Sequence, residues 1–122
     1  MSEKGMKLFD SERKVMEVLW EYGDMRASGI VKVLKERIGW NRNTTYTVVK
    51  KCVEKGAIKR IEPHFVCQAL VSKEDIQEYE TKELVNRMFD GSKEKFFAAF
   101  LDKEEFSDSE ITHLKELVQK LK

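Results

Sequence analysis

The stretch from Trp40 to Gly56 constrains this chain most, because its residues sort by chemistry when it is wound as a helix. At about 100° per residue, Thr45, Val48, Val49 and Cys52 gather on one side, and Asn43, Tyr46, Thr47 and Lys50 on the other. The first side is fit to be buried. The second carries amides, hydroxyls, an aromatic ring and a cation, with Glu54 as the only acid of the helix. A solvated helix face usually mixes Glu with Lys, whereas Asn, Thr and Lys together meet the edges of DNA bases and the phosphates beside them. The segment reads as a recognition helix, capped by Asn41 or Asn43 and ended by Gly56.

Its flanks complete a known arrangement. Asp10 or Ser11 caps a first helix with Val15, Val18, Leu19 and Tyr22 along one side, and Gly23 ends it. Ser28 caps a second, with Val31, Leu34 and Ile38 inward, Lys32, Lys35 and Arg37 outward, and Gly39 as its stop. After Gly56, the β-prone runs Ile58 to Ile61 and Phe65 to Leu70 flank Glu62-Pro63-His64 and predict a hairpin, with the sole proline at the turn. Three helices and a hairpin make a winged helix-turn-helix. The expected fold is mainly α with a small β-hairpin, a DNA-binding domain over residues 1–71 followed by a three-helix dimerisation domain over residues 72–122. Met1 to Met6 offer little to pack and read as a loose arm.

The character changes at Ser72. Ser72 with Asp75 resembles a capping box, and Ile76, Tyr79, Val85, Met88 and Phe89 follow with imperfect helical spacing until Gly91-Ser92. An aromatic segment, Phe96 to Leu101, precedes a better box, Ser107 with Glu110, and a final helix striped by Ile111, Leu114, Leu117, Val118 and Leu121. Three short helices cannot bury such stripes against one another alone. A second copy is the natural cover, because two-fold dimers are the commonest soluble oligomers and would set two recognition helices on a palindromic site. Ile76, Tyr79, Val85, Phe89, Phe96, Phe97, Phe100, Ile111, Leu114, Leu117 and Val118 are the residues expected at that interface.

Composition narrows the class. The formal net charge is only +1, yet residues 31–60 hold nine Lys or Arg against Glu36 and Glu54, a local +7, while the chain from Val71 onward carries −4. Charges are screened beyond about 8 Å at physiological salt, so the acidic half does not cancel the basic one. No apolar run reaches the roughly 18 residues of a membrane helix and no secretory signal is evident, which places the chain in the cytoplasm. Cys52 and Cys67 are two thiols without a disulfide framework.

Within the basic part, Arg42 near the helix start suits a phosphate, and Asn43, Tyr46 and Thr47 suit base edges. Thr44 and Lys50 share that face, while Ser28, Lys32, Lys51, Lys59 and Arg60 are placed to hold the DNA backbone. His64 and Cys67 are weak metal candidates, since strand positions three apart face opposite ways. Neither a metal nor a cofactor is expected, and no nucleophile, base and orienting acid stand at a catalytic spacing. The chain does not read as an enzyme.

These residues also carry a family likeness. Phe9-Asp10-Ser11-Glu12, Val15 to Trp20, Trp40-Asn41 with Thr44 and Thr47, Glu54 to Ile58, and Phe100 to Ser107 resemble the penicillinase and methicillin-resistance repressors of the BlaI/MecI/CopY family, from about Leu8 to Lys122. The resemblance implies a dimeric winged-helix repressor that sits on a palindromic operator of antibiotic-resistance genes. It also implies release by cleavage of the dimerisation domain, linked to a membrane sensor with a zinc-protease domain. The family's Asn-Phe scissile bond falls on Ala99-Phe100, where the asparagine is missing. No cysteine follows Cys67, which argues against the copper-sensing branch; the wing is short, and Tyr46 stands where many relatives place arginine. A different class of reading keeps the fold but gives its basic face an acidic protein partner instead of DNA.

Overall fold

The computed structural model describes residues 5–121. The arm expected over Met1 to Met6 therefore lies mostly outside the described residues. Its last two positions are packed: Met6 rests against the core, and a Cβ on Gly5 would stand 2.5 Å from Tyr79 Cβ and 2.7 Å from the Asp75 carbonyl oxygen. Only glycine fits so close an approach.

The described chain runs α1 (Asp10–Tyr22), β1 (Met25–Arg26), α2 (Ala27–Ile38), α3 (Arg42–Glu54), β2 (Ile58–Ile61), β3 (Val66–Ala69), α4 (Lys73–Phe89), α5 (Lys93–Lys103) and α6 (Asp108–Gln119). The predicted hairpin is present, with Ile58 opposite Ala69 and Ile61 opposite Val66. A third strand joins it: β1 pairs antiparallel with β3, giving the sheet order β1-β3-β2. Two residues are too few for a period-2 pattern to register in sequence. Pairing with β3 makes them a strand.

Two compact units divide at Lys82 and Glu83. In the first, α1, α2 and α3 enclose a core of Val15, Met16, Leu19, Ile30, Leu34 and Val49 that the sheet closes with Ile58 and Cys67. The opening turns of α4 belong to it as well. Ile76 is 5% exposed within this core, Trp20 Nε1 donates to the Val71 carbonyl at 2.9 Å, and the Leu8 N–H donates to Glu80 at 3.2 Å. Ile76 is thus a core residue of the winged-helix unit and is not available to a partner, contrary to its expected place in the interface. Tyr79 is partly engaged by Gly5.

Helix ends correct the sequence reading in places. The first helix starts earlier than Asp10 or Ser11 would set it: Phe9 is the N-cap, and the buried Glu12 reaches back to accept the Phe9 N–H at 2.9 Å. Ser28 lies inside the first turn of α2 rather than capping it, because the Ala27 N–H is taken by the Phe65 carbonyl at 2.9 Å. Tyr22 and Ile38, expected inward, are 56% and 41% exposed at the last turns of their helices. Elsewhere the caps stand as read. Asn41 caps α3, Ser72 and Asp75 exchange both capping-box hydrogen bonds, and Ser107 does the same with Glu110.

The second unit is different in kind. Val85 is buried, but α5 and α6 contain no buried residue. Phe96 joins Phe89, Phe97 and Phe100 at ring separations of 5.6, 5.2 and 6.3 Å, and Phe100 meets Phe106 at 6.2 Å. Leu101, Phe106, Ile111, Leu114 and Val118 line an open apolar groove.

Candidate nucleic-acid interface

The candidate face is set by how α3 is anchored. Asn41 Oδ1 accepts the Thr44 N–H at 2.8 Å, which fixes the first turn, and Thr45, Val48, Val49 and Cys52 turn into the core. That leaves Asn43, Thr44, Thr47, Lys50 and Lys51 exposed and Tyr46 half-buried, as the wheel predicts. Arg42 is exposed at the start of the helix. A turn of residues 39–41 joins α2 to α3, with Gly39 in the left-handed conformation at φ 74°. Ser28 and Lys32 are exposed on α2.

Several cations of the basic segment are already engaged. Lys55, at the end of α3, donates to Glu12 at 2.6 Å and to the Lys7 carbonyl at 3.0 Å, and its Nζ lies 4.9 Å from the centre of the Phe9 ring. It locks α3 to the start of α1. Arg37 pairs with Glu21 at 2.9 Å and donates to Tyr22 at 3.0 Å; the bond to Glu21 raises its pKa above its ordinary value. Arg60 pairs with Glu62 and lies over the Phe65 ring. Lys50 and Lys51 are exposed on α3 and Lys32 on α2, where they supply positive field; Lys59 is exposed on β2, on the opposite side of the strand from Arg60.

The side chains that sequence reasoning missed are Phe65 and Glu62. Tyr46 meets the Phe65 ring edge-on at 5.8 Å, and Arg42 sits 4.7 Å from the centre of the Tyr46 ring. The only trace in sequence is an aromatic at the start of a strand, which any core would also supply.

The thiols are inert by placement. Burial pushes Cys52 up to about 12, with the Glu12 carboxylate adding to the rise, and burial pushes Cys67 up to about 11. Both remain protonated at neutral pH. His64 is exposed in the wing turn while Cys67 is buried on β3, and no group of three metal-ligating side chains occurs among the described residues.

Residues 8–120 match the penicillinase repressor family. The chain belongs to that family. It is 25% identical over 122 residues to the methicillin resistance regulatory protein MecI of Staphylococcus aureus (strain N315), covering 98% of this chain and 99% of that one. It is 24% identical over 118 residues to the penicillinase repressor of Bacillus licheniformis, at 95% and 92% coverage. The solution structure of the DNA binding domain of the repressor BlaI matches with a TM-score of 0.52 and 25% identity, covering 57% of this chain and 93% of that chain. Membership in a family of repressors agrees with the reading that this chain is not an enzyme. No helix among the described residues is long and apolar enough to cross a membrane.

Proposed function

We propose that the chain is a dimeric transcriptional repressor of β-lactamase-type antibiotic-resistance genes. The observation that carries the DNA part is the outer face of α3, where Asn43, Thr44, Thr47 and Lys50 stand exposed on a winged helix similar to the DNA binding domain of BlaI. Asn43, Tyr46 and Thr47 read base edges in the major groove. Arg42, Ser28, Lys32 and Lys51 hold the phosphates on either side, and each cation that neutralises one phosphate steepens the salt dependence by about 0.9.

The second unit, residues 83–122, pairs two protomers, which then meet the half-sites of a palindromic operator. The support for pairing is the apolar surface of α5 and α6: Phe97 and Phe100 are half exposed, Leu117 and Val118 more so. Apolar side chains left in water along two successive helices favour a covering partner. Linking two weak half-site contacts raises overall affinity by roughly 10²–10⁴ without a new contact, so loss of the interface alone empties the operator. Cleavage between Ala99 and Phe100, both exposed on α5, by a membrane sensor metalloprotease would be such a loss.

Truncation after Ala99 tests the mechanism. On a palindromic duplex selected by the intact protein, the truncated chain is expected to bind about a hundredfold more weakly, with a monomeric mass in sedimentation. Undiminished affinity at nanomolar concentration sinks the dimer mechanism. A competing acidic protein partner predicts that duplex DNA of any sequence fails to bind at moderate salt.

A further inference from the structure

Recognition helix and wing are connected by two rings with a cation at either end. Arg42 lies over the Tyr46 ring and donates to its hydroxyl at 3.4 Å; Tyr46 meets Phe65 edge-on; Arg60 Cζ sits 3.7 Å from the centre of the Phe65 ring; Arg60 then pairs with Glu62. Phe65 is fastened at both ends of its peptide. Its N–H donates to Glu62 Oε1 at 3.3 Å, and its carbonyl accepts the N–H of Ala27, the first residue of α2. One residue therefore links three elements: its backbone holds the wing turn and the start of α2, and its ring meets Tyr46 on α3.

We propose that Phe65 and Arg60 are positioning residues for the DNA face: they brace Tyr46, and through it Arg42, and Arg60 serves this brace instead of contacting phosphate. The inference rests on the reading of α3 as a DNA-recognition helix. Arg42 and Tyr46 alone on a helix surface would sample several rotamers, and ordering them on binding would weaken affinity. Edge-on packing of Tyr46 against a residue whose backbone is held at both its N–H and its carbonyl reduces that loss before DNA arrives. Arg60 has its face on Phe65 and its Nε on Glu62, so a phosphate contact would break the pairing and bring an anion beside the Glu62 carboxylate. The wing of this chain thus acts by fixing the geometry of Tyr46 and Arg42, and adds no phosphate contact of its own to the charge count.

The experiment compares wild type, Phe65→Leu, Phe65→Tyr and Arg60→Gln in the full-length chain. Each is titrated against a duplex that the wild type selects from a random pool, and against a random-sequence duplex of equal length, across a salt series. Phe65→Leu and Arg60→Gln are expected to lose about fivefold or more on the selected duplex, the size of a lost cation–π contact, with a smaller loss on the random duplex, passed on through Arg42, and an unchanged salt slope. Phe65→Tyr, which keeps the ring, should remain within about twofold, well inside that contact's range. An equal loss by Arg60→Gln on both duplexes, with the salt slope reduced by about 0.9, would make Arg60 a phosphate contact and overturn the proposal. So would a Phe65→Leu chain that binds the selected duplex like wild type. A wild type that selects no duplex brings down the DNA reading itself, and the brace with it. Proton NMR of the wild type is a check independent of any variant: ring currents from Tyr46 and Phe65 should shift the side-chain protons of Arg42 and Arg60 upfield, and unshifted resonances would refute the brace.

Discussion

Ile30 of α2 and Leu117 of α6 both lie on the apolar stripe of an amphipathic helix, yet Ile30 is fully buried while Leu117 is 58% exposed. The first stripe finds α1, α3 and the sheet folded over it within the same unit. The second has only α5 and the end of α4 in its unit, too little surface to cover it. An apolar stripe specifies that something must lie on it, without saying whether that is the same chain or another. The winged helix covers its own stripe, and the second unit leaves its stripe in solvent.

The most severe way to break this contrast is to place charge on the uncovered stripe. Leu117→Asp combined with Val118→Asp is expected to weaken self-association about a thousandfold or more, since each unpaired carboxylate would have to be desolvated at the interface. Analytical ultracentrifugation should report a monomer while the thermal unfolding of the winged helix is unchanged; a dimer that tolerates both charges would show that the stripe is not the contact. The converse substitution, Ile30→Ala, should cost the first unit about 3 kcal/mol, in the range for emptying a core site, as read by urea denaturation, and leave association through the second unit intact. Lys55→Met sharpens the picture of how the first unit closes. It strands the Glu12 carboxylate, which is nearly inaccessible, and about 2 kcal/mol of unfolding free energy should be lost, the worth of a charged hydrogen bond. Asn41→Ala removes only the cap of α3 and should cost about 1 kcal/mol in the same assay.

What the sequence disclosed follows from how local the relevant physics is. Asn41, Gly39, Gly56 and the Ser107–Glu110 box act within one turn of chain, and the inward set Thr45, Val48, Val49 and Cys52 obeys a simple period, so these were legible. The start of α2 was not, because its first N–H is satisfied by Phe65, far along the chain. Ile76 departs from its expected place for a related reason: its helical spacing is genuine, but the opening turns of α4 pack on the winged-helix core. The exposed members of the candidate site could be named from a wheel. Their coupling through Phe65 could not, since a ring on one strand carries no mark of what will lean on it.

The opening segment of the chain ties together three distant places. Gly5 lies against Tyr79, the Leu8 N–H reaches Glu80, and the Lys7 carbonyl holds the Lys55 ammonium at the end of the recognition helix. A purification tag joined closely ahead of Leu8, or a protease that trims to Phe9, would therefore act as a perturbation of α3 and of α4 at once. Binding assays on a trimmed or tightly fused protein would report a loosened clasp in place of the native affinity.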